Sequence, residues 1–162
     1  MKWFNPKPTT AEELKKQYKM LAMANHPDRG GNTFDMQEIN NEYDVLFSKL
    51  KNIHATAEGI TYTKETNENA NDFKEIINKL IKFKGVRIEI CGSWIWVTGC
   101  TIDYRNELKT MGFRWSRSKV AWYFHRDEYK KTSKRTFTMD EIRSLYGSEI
   151  VKTTPQIELT IV

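Results

Sequence analysis

The sequence predicts an α+β protein: an N-terminal antiparallel helical hairpin joined to a small α+β domain built on an antiparallel sheet. Three observations predict this class. Up to about residue 50, apolar residues recur at helical spacing, and of the five tryptophans only Trp3 occurs there. From about residue 86 the chain is rich in β-branched and aromatic residues with glycine punctuation, the composition of strands. Between them, NIHATAEGITYTKETNENANDF is polar, with few large apolar residues, and reads as a linker or loop. The expected organisation is a helical hairpin over 1–50, a linker over 51–70 and an α+β domain over 71–162.

The first helix is predicted to open near Thr10. Thr10 and Glu13 match the capping box S/T-x-x-E, and Pro8 lies just upstream. Leu14, Tyr18, Leu21 and Ala22 then form one apolar stripe. Pro27 ends the helix, because a residue before proline is pushed out of helical geometry. A second helix follows Gly30-Gly31, capped by Asn32 or Thr33. Its stripe is Met36, Ile39, Tyr43, Leu46, Phe47 and Leu50, the cleanest periodicity in the chain. Two such helices on a short loop bury their stripes against each other as an antiparallel pair.

A third helix fits Asn71–Phe83 through Phe73, Ile76, Ile77, Leu80 and Ile81, with Gly85 as its stop. In VRIEI, Val86, Ile88 and Ile90 share a face; Gly92-Ser93 signals a tight turn into WIWVT, which is apolar on both faces and reads as central. A short helix fits Asp103–Met111, with Gly112 after its end. FRW and VAWYF read as strands joined by residues 116–119. Thr138 with Glu141 marks another capping box, opening a helix that ends at Gly147, and the tail QIELTIV alternates like a last strand. The second half thus reads as helix, ββαββ, then αβ.

Length and composition bound the function. The 162 residues are 39% hydrophobic and 29% charged, which suits a folded protein of one domain or two small ones. No apolar run approaches the roughly 18 residues that span a bilayer. The opening MKWFNPKPTT lacks the apolar core of a signal peptide, so the expectation is cytoplasmic residence without membrane contact. Cys91 and Cys100 fit no zinc spacing; buried free thiols are the expectation, with a cross-strand disulfide as the alternative. His54 and His125 are isolated, and no P-loop, GxGxxG, HExxH or Ser-His-Asp order occurs. Neither an enzyme activity nor a cofactor is expected. The net charge is +5, and within 100–135 ten Lys/Arg face four Asp/Glu, so the basic excess sits in the second half and hints at an anionic partner there.

The stretch ANHPDRGGN, residues 24–32, sits between the first two helices. A metal site needs three or four ligands, and only His26 and Asp28 are close. A catalytic His-Asp pair needs a nucleophile or a cavity, which a loop tip does not supply. A plain turn, in which Pro27 stops the helix and Asp28 caps, explains the tripeptide equally well as a docking point does.

The wider pattern EELKKQYKMLAMANHPDRGGN…MQEINNEYDVL, about Glu12 to Leu46, resembles the J-domain family, co-chaperones of Hsp70. The match takes in the Tyr and Leu-Ala of the first helix, the His-Pro-Asp triplet, and the packing pattern of the second helix. The resemblance implies docking on an ATP-loaded, DnaK-type Hsp70 and stimulation of its ATP hydrolysis, with no ATPase of its own. His26, Pro27 and Asp28 match the required loop tip. Lys15, Lys16, Lys19 and Arg29 match the basic surface that meets an acidic face of the partner. Electrostatics agrees: cations on one helix face orient an acidic partner, and Asp28 at a rigid tip offers a charge-assisted bond to a partner arginine. The chain departs from the family in places. The family's opening helix is reduced to MKWFN, and Trp3 and Phe4 are expected to plug the groove it would cover. The loop RGGNT is short, and Gly/Phe-rich and cysteine-rich regions are missing.

Specificity is then expected from the second half, which recruits an unknown client. Its stretch IEICGSWIWVTGCTIDYRNELKTMGFRWSRSKVAWYF is similar to small GFRW…KAWYF modules of phage and mobile-element proteins. Arg114, Trp115, Arg117, Lys119, Trp122 and Tyr123 interleave cations with aromatics, as a platform for single-stranded nucleic acid or for a protein partner does. The competing explanation is that the rings are core and the arginines lie solvated over them. Two other functions stay open at this point: a nucleic-acid-binding protein whose hairpin is only a scaffold, and a decoy or inhibitor that occupies a host protein.

Overall fold

The computed structural model describes residues 1–56, 58–126, 135–146 and 148–152, and the backbone alone for 146 and 148–152. The chain is α+β. Helix α1 spans Ala11–Asn25 and α2 spans Thr33–Leu50. Thr10 caps α1 by accepting the Glu13 N–H at 3.3 Å. The returning half of the capping box falls one residue early: the Glu13 carboxylate takes the Thr9 N–H and hydroxyl, at 2.8 and 2.9 Å. Asn32 caps α2 through the Phe34 N–H, at 2.8 Å.

The stripes of α1 and α2 meet as their spacing dictates. Tyr18 donates its hydroxyl to Asn40 Oδ1 at 2.9 Å, and its ring lies 4.6 Å from that of Tyr43. Burial pushes both phenols above their ordinary range. The opening residues strap across α2. Lys2 and Trp3 donate backbone N–H groups to Glu42 at 2.7 and 3.0 Å, the Trp3 indole donates to Glu38 at 3.0 Å, and the Phe4 ring enters the core. Phe4 is thus part of the core, and Trp3 packs against it.

Residues 51–70 are not a loop throughout. Two short strands, β1 (Ile53–Ala55) and β2 (Thr61–Thr63), pair antiparallel, and β1 packs on α1. The third helix, α3, spans Ala70–Leu80. It starts one residue before the predicted range because Asn69 and Asp72 form a reciprocal capping box. It stops three residues short of Phe83, whose ring turns away to stack on Tyr104 at 4.2 Å.

The next elements follow the predicted order: β3 (Val86–Cys91), β4 (Trp94–Gly99), α4 (Arg105–Thr110), β5 (Arg114–Ser116), β6 (Ala121–Phe124) and α5 (Met139–Tyr146); after them comes β7 (Ser148–Lys152), a strand not expected there. The sheet runs β5-β6-β4-β3-β7 with each neighbouring pair antiparallel, so β4 is central. The predicted tail strand at 156–162 and the helix stop at Gly147 lie outside the described residues.

Strand alternation sorts the sheet's two faces. Ile88, Ile90, Ile95, Val97 and Trp122 share one buried cluster with Leu14, Tyr18, Tyr43, Phe73 and Ile77 of the helices. That core is continuous from the opening strap to β6. On the opposite face, Cys91, Trp96 and Ala121 are covered by Met139 and Ile142 of α5. Glu89 is buried there and is held by Arg143 of α5 through bonds of 2.6 and 3.0 Å.

The thiols differ from the expectation. Cys91 is buried, but Cys100 is exposed, and neither forms a disulfide. The β3–β4 register pairs Cys91 with Trp94 and Val86 with Gly99, so the two cysteines sit at opposite ends of that strand pair.

Candidate functional site: the His-Pro-Asp tip

The tip is a built turn. His26 ends α1 by donating its N–H to Ala22 O at 2.9 Å, then leaves helical geometry. Pro27–Arg29 form one 3-10 turn, with Pro at its first position and Gly30 closing it at φ +86°. His26 O accepts both Arg29 N–H, at 2.9 Å, and Gly31 N–H, at 3.0 Å. His26 Nδ1 accepts the Asp28 N–H at 3.2 Å, so the neutral ring carries its proton on Nε2. The two glycines have separate reasons. Gly30 supplies the left-handed φ, whereas a Cβ at Gly31 would lie 2.0 Å from Asn25 O.

His26 and Asp28 therefore do different things. The His26 side chain is 13% exposed and braces the turn; Asp28 is 51% exposed and presents its carboxylate. Arg29 is tied back by its Nε–H to Met23 O, at 3.0 Å. Among the described residues no three His, Cys, Asp or Glu side chains converge as metal ligands. The arrangement can present an anion on a rigid tip.

The predicted basic face of α1 is not an open surface. Lys19 is fully buried, and its ammonium reaches Ile88 O on β3 at 3.4 Å. Lys15 pairs with Glu68 at 2.6 Å and lies 5.3 Å from the Phe73 ring centre. Lys16 is half-buried. The sheet, α3 and the segment before α3 cover this side of α1, whose long aliphatic stems suit them to burial. Arg29 and the tip remain exposed. A cation not singled out in the sequence stands there instead: Lys82 Nζ lies 4.0 Å from Asp28 Oδ2.

The second predicted site is divided by strand alternation. The β5–β6 register pairs Arg114 with Tyr123 on one face and Trp115 with Trp122 on the other. Trp122 is buried at 4%, in the core, so it offers no free stacking face; its neighbour Trp115 is 44% exposed. Arg117 is exposed and Lys119 is half-buried, 5.8 Å from the Trp96 ring centre. The six residues do not share one platform. The face of Tyr123 instead carries a ladder in which Trp94 stacks on His125 at 4.4 Å and lies 5.9 Å from Trp96. His125 also shares a hydrogen bond with Ser93 Oγ at 2.9 Å. His54, the other isolated histidine, packs its Nδ1 2.6 Å from Glu12 Oε1 and joins β1 to α1.

Comparison with known proteins yields short local matches. The chain is 46% identical over 41 residues to the DnaJ protein homolog ANJ1 of Atriplex nummularia, covering 25% of this chain and 10% of that one. It is 46% identical over 41 residues to chaperone protein dnaJ 3 of Arabidopsis thaliana, with the same coverage. It is 43% identical over 44 residues to the mitochondrial import inner membrane translocase subunit TIM14 of Dictyostelium discoideum, covering 27% of this chain and 39% of that one. The chain thus spans about a tenth of the DnaJ relatives and under two fifths of the TIM14 relative. No family model and no solved structure matches. Among the described residues no helix is long and apolar enough to cross a membrane. The matches to DnaJ and TIM14 proteins support a J-domain within this chain.

Proposed function

We propose that the chain is a J-domain co-chaperone of the cytoplasm that docks its His26-Pro27-Asp28 tip on a DnaK-type Hsp70 and recruits a client through its second half. The observation that carries this reading is the division of labour in the tip. His26 braces the turn, and the exposed Asp28 carboxylate is held ready for a charge-assisted bond to a partner guanidinium. The short matches to DnaJ and TIM14 proteins support the same reading. The adapter is the second half, residues 71–162, within which the stretch 88–124 is similar to modules of phage and mobile-element proteins. The test is steady-state ATP turnover of a bacterial Hsp70 with wild type and Asp28→Asn. Wild type stimulates and Asp28→Asn does not; no stimulation by wild type refutes the reading. Capture of the Hsp70 by the His26-Pro27-Asp28 tip without stimulation would mark a decoy instead.

A second reading, single-stranded nucleic-acid binding, is favoured by the half-buried rings of Trp94, Tyr123 and His125, which pack on one another beside the buried Trp96. It predicts salt-dependent binding of a single-stranded oligonucleotide that weakens in Tyr123→Ala. Absence of binding at low salt removes it.

A further inference from the structure

If the tip docks on an acidic partner, cations must flank it, yet on α1 Lys19 is buried, Lys15 is held by Glu68 and Lys16 is half-buried. We propose that the basic docking surface is supplied by the end of α3, by Lys79, Lys82 and Lys84, and that it meets an acidic protein surface next to the Asp28 contact. This rests on the docking reading and names its second half.

The geometry builds this surface from the sequence upward. Lys82 Nζ stands 4.0 Å from Asp28 Oδ2, which brings the end of α3 against the tip. The Lys82 N–H bonds to Lys79 O at 3.3 Å, a tight i, i+3 turn that stacks these two side chains on one side. Lys84 follows two residues on. The turn carrying them is fixed: Phe83 is buried and stacks on Tyr104, and the Lys84 N–H donates to Tyr104 Oη at 3.0 Å. All three lysines are exposed, and among the described residues neither Lys79 nor Lys84 has an ion-pair partner.

The Lys82–Asp28 contact is weak. It joins side chains 63% and 51% exposed at 4.0 Å, so water screens it. A partner arginine on Asp28 displaces Lys82 and leaves its charge for a carboxylate alongside. Lys15 is already held by Glu68 at 2.6 Å, and Lys19 is buried, so freeing Lys19 opens the packing between α1 and β3.

The experiment measures binding of the full chain to an ATP-loaded bacterial DnaK at low and high salt. The variants are Lys79→Glu/Lys82→Glu/Lys84→Glu, Lys15→Gln, Asp28→Asn, and Lys49→Glu at the far end of α2 as a charge control. The triple variant binds roughly tenfold or more weakly at low salt, with the deficit shrinking as salt screens it. Lys15→Gln and Lys49→Glu stay within about twofold. If the triple variant binds like wild type while Asp28→Asn abolishes binding, the tip docks and the α3 surface is wrong. A loss in Lys15→Gln that exceeds that of the triple variant also overturns it. Absence of binding by wild type overturns the docking reading and this proposal together.

Discussion

Replacing Gly31 by alanine isolates the geometry of the tip. An added Cβ would sit 2.0 Å from Asn25 O, 2.2 Å from its carbonyl carbon and 2.7 Å from its Cα. Non-bonded carbon contacts are relaxed near about 3.5 Å, so the chain must part by about 1.5 Å between residues 25 and 31. Both sides of the clash are backbone, so no rotamer change relieves it. Parting them sacrifices the Gly31 and Arg29 N–H bonds to His26 O, at 3.0 and 2.9 Å. At a net 0.5–1.5 kcal/mol each, with residual strain added, the loss is about 2–3 kcal/mol. Gly30→Ala is the matched comparison. Its Cβ meets nothing within 4 Å, and its cost comes from φ +86° alone, about 1–2 kcal/mol. Equilibrium urea unfolding of both variants, with amide NMR shifts of residues 25–31, reads the difference. Gly31→Ala is the more damaging and shifts those amides. A Gly31→Ala protein as stable as wild type, or more stable than Gly30→Ala, refutes this account of the turn.

Three further outcomes follow from burial. Arg143→Ala removes the guanidinium from Glu89, whose carboxylate is 2% exposed, and costs about 3 kcal/mol in urea unfolding, with Glu89→Gln costing less. Tyr43→Phe removes a buried hydroxyl that has no hydrogen-bond partner among the described residues, and leaves stability unchanged or raises it by about 1 kcal/mol. At pH 8 a thiol reagent labels Cys100 at once. Cys91 stays unlabelled until the chain unfolds, because burial and the neighbouring Glu89 push its thiol up to about 12.

Much of the frame was legible because single stretches carry their own instructions. The stripe from Met36 to Leu50, the caps at Thr10 and Asn32, and the Gly92-Ser93 turn each fix local structure without reference to the rest. The tip was legible for the same reason, since Pro27, Gly30 and Gly31 act on their immediate neighbours. What was not legible depends on tertiary partners. The strands Ile53–Ala55 and Thr61–Thr63 are short and largely polar, and they gain their place from β1 packing on α1. Lys19 reads as a solvent cation until β3 is laid over it. Trp115, Trp122 and Tyr123 look like one cluster in the sequence, but alternation places Tyr123 opposite the two tryptophans. Lys82 gave no signal, because only the fold brings the end of α3 to Asp28.

The central claim is that the exposed Asp28 carboxylate, held by the His26 turn, docks on an Hsp70. Steady-state ATP turnover of a bacterial DnaK with the full chain tests it most directly. The account predicts stimulation by wild type that disappears in Asp28→Asn, whose side chain keeps the shape but loses the charge. Equal stimulation by both proteins, or none by wild type, contradicts it.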